Sequence, residues 1–261
     1  MKTLKLSEVK GGSFPPGLLR LDYESALDGR PDWALVLPGQ KKHLWVIVIH
    51  GHGSAGDQLY TRRDVRETWL PVFIKSGAGI LTVNLRGNSW MGPAAAFDMR
   101  GLVSYLRAEQ GMRQSIFCSG SMGGTSNLIY GVLHPEDVSG IIARGAASDP
   151  ATYLQWCRSQ EKPILHQIAS AIESSYGGTP EDVPETYRKH SALQNSAKLS
   201  MPVYLSHGGA DLIIPVEQSR DLAERMKGSG KFVYHEIPGG NHDSPLYETS
   251  SFDCLLGQLG V

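Results

Sequence analysis

The stretch "IFCSGSMGGTSN", residues 116–127, places Ser119 and Ser121 among three glycines, directly after a short apolar run. A nucleophilic serine between a strand and a helix needs a sharp turn that lifts its Oγ, with small residues two positions either side. Ser121 has Ser119 and Gly123 there, whereas Ser119 has Phe117 and Ser121. Phenylalanine would not fit, so sterics select Ser121, in S-x-S-x-G rather than G-x-S-x-G. Ser119 is then a packing residue or a local hydrogen-bond donor. The first N–H groups of the following helix have no intrahelical acceptor and carry partial positive charge. The Met122 N–H is therefore a candidate oxyanion donor.

A serine hydroxyl needs a base, and the base needs an acid to orient it. In this order of elements the acid and then the histidine follow the serine. "YLSHGGADLIIP" puts Asp211 just past a strand, and "HEIPGGNHDSP" puts His242 in a glycine-bracketed loop past the last strand. Both fall at the sheet edge of Ser121. Asp149, in "RGAASDP", is the rival acid. We read His207 as a residue that packs or bonds its loop, His235 as structural, and Asp243 as too close to His242 in sequence to face it.

"VIVIHGHGSAGDQ" admits three readings. His50-Gly51 turns the chain so that the His52 N–H faces Met122 as a second oxyanion donor; two such donors are worth roughly 3 kcal/mol of barrier each. Alternatively His50 and His52 begin a metal site, although Gly53, Ser54 and Ala55 supply no strong ligand. The third is a strand-ending turn with a solvated His52. We expect no metal and no cofactor. Trp90, Met91, Tyr153 and Trp156 sit in loops expected near the site, as pocket or as packing. Arg86 either pairs with a substrate carboxylate or braces its loop.

Positioning these groups requires strands that end together. Residues 18–25 and 33–39 read as two early strands, and the unbroken apolar run at 44–49 as a strand buried on both faces. Helical signals at 63–76, 94–111 and 121–134 alternate with strands at 79–85, 114–120 and 138–145. Residues 201–208 and 231–239 are strands, and 215–230 and 244–259 helices. Alternation of this kind predicts a mostly parallel sheet of about eight strands with helices on both faces. We expect one domain over 1–261, with 150–198 a small helical insertion forming a partial lid.

"HGHG", "SGSMGG", "HGGADLIIP" and "GGNHD" together resemble an α/β-hydrolase, specifically the catalytic domain of the prolyl-oligopeptidase group and its stand-alone esterase relatives. "VNLRGNSWMG" is similar to that group's N-x-R-G loop, and "GGTPEDVPETYRKHSAL" to its segment before the acid strand. The resemblance spans about residues 33–250. It implies Ser121 as nucleophile, Asp211 as acid, His242 as base, and the N–H groups of His52 and Met122 as oxyanion donors. The β-propeller that larger members use to restrict access has no counterpart in this length. The resemblance thus implies a serine hydrolase of small carboxylic esters, the alternatives being a peptidase or amidase on small peptides and a non-catalytic binding member.

Composition narrows the partners. The 261 residues are 41% hydrophobic with a formal net charge of -1, so no long-range field draws in nucleic acid or an anionic membrane. The longest apolar runs are too short to span a bilayer, and the start lacks the apolar core of a secretory signal. Three cysteines, Cys118, Cys157 and Cys254, form no C-x-x-C pair and fit reduced thiols in a cytoplasm. Cys118 reads as packing. We expect a cytoplasmic protein that takes a small-molecule ester, with no nucleic-acid or membrane partner and with homo-oligomers allowed.

Overall fold

The apolar run at 44–49 is buried from end to end and forms the middle of a nine-stranded sheet. The computed structural model describes residues 1–260. Its strands are β1 Lys2–Glu8, β2 Leu19–Glu24, β3 Pro31–Leu37, β4 Lys41–Ile49, β5 Ala78–Val83, β6 Gln114–Gly120, β7 Gly140–Arg144, β8 Val203–Gly208 and β9 Phe232–Ile237. They lie in the order β1-β2-β3-β5-β4-β6-β7-β8-β9. From β5 to β9 every pairing is parallel, while β1, β2 and β3 join as an antiparallel flank.

The helices among the described residues are α1 Gln58–Thr61, α2 Arg63–Ser76, α3 Pro93–Gln110, α4 Met122–Leu133, α5 Pro150–Ser159, α6 Pro163–Tyr176, α7 Pro184–His190, α8 Glu217–Arg225 and α9 Ser250–Leu259. Alternate side chains of each parallel strand leave the sheet on opposite faces. Ile47, Phe117, Ala143 and Leu205 enter the larger core with α3 and α4. Val46, Ile116, Ile142 and Tyr204 enter the second, with α2 and α9. A third core joins α5, α6 and α7 to Trp90, Met122 and Ile214, seating the 150–198 segment on the strand ends.

Three elements depart from expectation. The sheet has nine strands because the lysine-leucine alternation of Lys2–Glu8 pairs antiparallel with β2, although Leu4 and Leu6 stay exposed. The helix expected over 215–230 stops at Arg225, ahead of Gly228 with φ +85°. The helix expected over 244–259 is a 3-10 turn, Ser244–Tyr247, then α9. Extended Glu248 separates them. Its carboxylate accepts from Tyr204 Oη at 2.5 Å and meets His235 Nδ1 at 2.7 Å, and its carbonyl accepts from Arg144 at 3.0 Å. These tertiary bonds outweigh continued helix at that residue.

Candidate active site

Ser121 stands between β6 and α4 with φ 56° and ψ −126°, a left-handed conformation that a side chain rarely adopts. Its N–H donates to the Arg144 carbonyl at 2.8 Å and its own carbonyl accepts from Thr125 N–H at 2.9 Å, so the turn is held from both sides. A Cβ on Gly123 would lie 2.0 Å from the Ile49 carbonyl oxygen, and one on Gly120 2.6 Å from Leu246 Cδ2. Gly123 therefore serves close approach of α4 to β4, and Gly120 makes room for Leu246. Ser119 sits inside this contact: its Oγ accepts from Ile49 N–H at 2.9 Å and donates to Asn127 Oδ1 at 3.3 Å.

The strand-end loops bring the other two groups to Ser121. His242 Nε2 lies 2.9 Å from Ser121 Oγ, and His242 Nδ1 lies 2.6 Å from Asp211 Oδ2. Asp211 Oδ1 accepts from the N–H groups of Ile213 and Ile214 at 2.8 and 3.0 Å. Burial acts to raise the Asp211 pKa, but hydrogen bonds from His207 and His242 and the backbone outweigh it and hold the carboxyl well below the usual range. His242 is placed by an Asn241 turn, whose Oδ1 accepts from Asp243 and Ser244 N–H at 3.1 and 3.0 Å. Arg62 ties this loop to α2, bridging Asp64 at 2.7 Å and Asp243 at 3.1 Å.

Asp149, the rival acid, is committed elsewhere. Its Oδ1 caps α5 through Ala151 and Thr152 N–H, and its Oδ2 accepts from Ser191 Oγ and Gln194. His207, read from sequence as packing or bonding its loop, also reaches Asp211. Its Nε2 is 3.2 Å from Oδ2. His235 meets Glu248 at the far edge of the sheet.

In the HGHG turn the two histidines separate. His50 is buried, with Nδ1 2.8 Å from the Gly51 carbonyl and Nε2 3.1 Å from the Asn84 carbonyl. His52 Nδ1 accepts the Trp90 indole N–H at 3.2 Å. Burial, with a smaller contribution from His50, keeps the His52 pKa below the ordinary histidine value. A metal shared by the two rings would have to displace these bonds. Elsewhere His134, Glu136 and Asp137 group closely enough for a cation, but Asp137 is already paired with Arg107 at 2.5 Å and Tyr130 at 2.7 Å. The His52 and Met122 N–H groups donate to no acceptor among the described residues.

A cavity of about 220 Å³ opens beside Ser121 and His242. Val48, Leu59, Val65, Trp69 and Leu246 wall it on one side, and Ile164 and Ile168 of α6 close another. None of the five residues proposed from sequence as pocket lines it. Trp90, Met91 and Tyr153 are buried, with Trp90 and Tyr153 in the third core. Trp156 stacks on the Tyr153 ring at 6.1 Å. Arg86 is a brace: it bonds Asp98 at 2.5 Å, Asp28 at 2.8 Å and Ser25 at 2.9 Å, while its backbone N–H donates to Asp32 at 2.6 Å. Sequence reasoning missed the actual wall because α2 reads as an ordinary amphipathic helix. Its one signal was two tightly spaced apolar positions, Val65 and Trp69, in the helix after the HGHG turn.

The profile of the BD-FAE family matches residues 34–226, which is more than half of the chain. The chain belongs to the BD-FAE family. Its fold is that of the α/β-hydrolase superfamily. FphF, a fluorophosphonate-binding serine hydrolase of Staphylococcus aureus, superposes with a TM-score of 0.69 at 12% identity, over 93% of this chain and 98% of that one. Est1E from Butyrivibrio proteoclasticus gives 0.66 at 16% identity, over 92% and 99%. In sequence, 67 residues are 34% identical to Esterase LipC of Mycobacterium tuberculosis (strain ATCC 25618 / H37Rv), covering 25% of this chain and 17% of that protein. A further 108-residue match, 27% identical, is to the uncharacterized peptidase YtmA of Bacillus subtilis (strain 168), covering 41% and 38%. The chain thus spans well under half of either curated relative. Among the described residues no helix is long and apolar enough to cross a membrane.

Proposed function

We propose that this chain is a serine hydrolase that cleaves small carboxylic esters through an acyl-enzyme. The observation that carries it is the unbroken hydrogen-bond path from Ser121 Oγ through His242 to Asp211, at 2.9 and 2.6 Å, with Ser121 held in a strained turn beside a cavity. His242 Nε2 takes the Oγ proton as Oγ bonds to the ester carbonyl carbon. Negative charge then develops on the carbonyl oxygen, opposite the N–H groups of Met122 and His52. Asp211 stabilises the imidazolium. Collapse of the tetrahedral adduct breaks the bond to the alcohol oxygen, which leaves with the proton from His242. Water adds to the acyl-enzyme by the same steps reversed, releasing the acid and free Ser121.

The cavity sets the size of the acyl group. A cavity of roughly 150 Å³ accommodates benzene, so about 220 Å³ suits one ring or a short chain. Its walls are mostly apolar, with Gln58, Arg62 and Asp243 among them, and Arg62 is already paired with two aspartates. The likeness to YtmA and to a puromycin-hydrolyzing peptidase of Mycobacterium tuberculosis, the latter at a TM-score of 0.64 and 18% identity, supports cleavage of small peptides or amides as the second reading.

Parallel assays with p-nitrophenyl esters and peptide anilides separate the two. We expect turnover of the short esters, labelling of the wild-type chain by a fluorophosphonate, and loss of both in Ser121→Ala, with kcat lower by about four decades or more. Near-native turnover in that variant would remove Ser121 from the mechanism.

A further inference from the structure

Asp211 Oδ2 faces two imidazoles rather than one. His242 Nδ1 approaches at 2.6 Å and His207 Nε2 at 3.2 Å. His207 closes β8, and its side chain has no solvent exposure. Around its Nε2 lie only acceptors, the Asp211 carboxylate and the Ile214 carbonyl at 2.9 Å. A lone pair there would face two oxygens, so Nε2 carries the proton. At the other end Nδ1 lies 2.6 Å from Oγ of the buried Ser219 on α8. A neutral ring in this tautomer accepts the Ser219 hydroxyl proton. The other charged group facing His207 is Glu236, its partner across β8 and β9, which is engaged by Arg220 at 2.7 and 2.9 Å.

We propose that His207 is a positioning residue that extends the relay to Ser219–His207–Asp211–His242–Ser121. This rests on the hydrolase reading of Ser121, Asp211 and His242. Ile213 and Ile214 N–H hold Oδ1, the His242 imidazole holds Oδ2, and the His207 N–H, which donates to the Ile214 carbonyl, stands 3.2 Å from Oδ2 and restrains the carboxylate plane facing His242. The His207 N–H also draws negative charge from Oδ2. Less charge then remains to favour protonation of His242, which must be unprotonated to take the serine proton. Ser219 sets the tautomer on which both effects depend.

The test compares His207→Phe, which keeps a ring without a donor, with His207→Gln, whose amide N–H can reach where Nε2 stands. Turnover of p-nitrophenyl butyrate is measured across pH. We expect His207→Phe to lower kcat about tenfold with KM within about twofold, and to move the acid limb of kcat/KM up by roughly half a pH unit. His207→Gln should restore the limb. A merely structural role would lower stability and leave the limb in place. Limbs that coincide in all three proteins, or a glutamine variant as impaired as the phenylalanine one, overturn the proposal. If His207→Phe does not fold, the ¹⁵N spectrum of the wild-type imidazoles decides: a proton on Nε2 of His207 supports the role, and one on Nδ1 alone ends it. Absence of both ester turnover and fluorophosphonate labelling in the wild-type chain would instead remove the hydrolase reading, and is thereby distinguished from failure of His207.

Discussion

The Trp90 indole N–H donates to His52 Nδ1 across 3.2 Å, and the two rings lie 6.0 Å apart. Read from sequence as pocket or as packing, Trp90 is buried and bonds the ring of His52, whose backbone N–H is the second oxyanion donor of the proposed mechanism. The bond requires an unprotonated Nδ1, which suits a ring whose pKa is lowered by burial and by His50. The loop carrying Trp90 is itself strained, with φ 45° at Trp90 and 52° at Met91. It is held by the Tyr176 hydroxyl, which donates to the Trp90 carbonyl at 3.2 Å.

Trp90→Phe should therefore reduce kcat while leaving substrate binding nearly intact. Freeing His52 loosens one of the two proposed oxyanion donors; complete removal of such a donor costs about 100-fold or more, so partial loss should cost roughly tenfold. Steady-state kinetics on a short ester checks this. A rise in KM with kcat unchanged would return Trp90 to the pocket.

How far the sequence could be read depends on whether the signal was local. Ser121 was legible because backbone crowding at ±2 is a local steric rule, and Phe117 excluded the alternative. The mostly parallel sheet followed from the alternation of apolar runs and helices. Arg86 was ambiguous because two of its partners, Ser25 and Asp28, come from a segment far away in sequence and the third, Asp98, from the next helix. Asp149 resembled a catalytic acid because it follows a strand; only its bonds to Ala151, Thr152, Ser191 and Gln194 mark it as a cap. The cavity wall was hidden for the same reason. Val65 and Trp69 of α2 border one cavity with Leu246 of the 3-10 turn and Ile168 of α6 only when three separate segments fold together.

That wall should govern acyl length. Val65→Phe adds bulk to a side chain bordering the cavity. We expect it to spare p-nitrophenyl acetate and to lower kcat/KM for the hexanoate and benzoate, so that the ratio to acetate falls about tenfold or more, as for a pocket short of one or more methylenes. An unchanged ratio would place the acyl group outside this cavity. Measured melting temperatures of the variant and the parent guard against a general packing defect.

Stability should fall on mild acidification, and histidines wholly or partly removed from water are the reason. Burial is the first cause holding His52, His134 and His190 below the ordinary value; neighbouring positive or histidine charges add to it, while Glu136 and Asp137 oppose it at His134 and the Thr186 carbonyl at His190. Unfolded, each titrates near about 6.5. Between the lowered folded pKa and that value the unfolded chain binds more protons, so stability rises with pH through the window. The full contribution is present above about pH 6.5 and is lost as the pH falls below it. His190 tests this most cleanly, being 5% exposed and remote from Ser121, with Nδ1 2.7 Å from the Thr186 carbonyl. Asparagine places an amide N–H at that same position without a titrating group. Urea midpoints at pH 5, 6, 7 and 8 should show a shallower slope for His190→Asn than for the parent. Parallel slopes would assign the acid sensitivity to other groups.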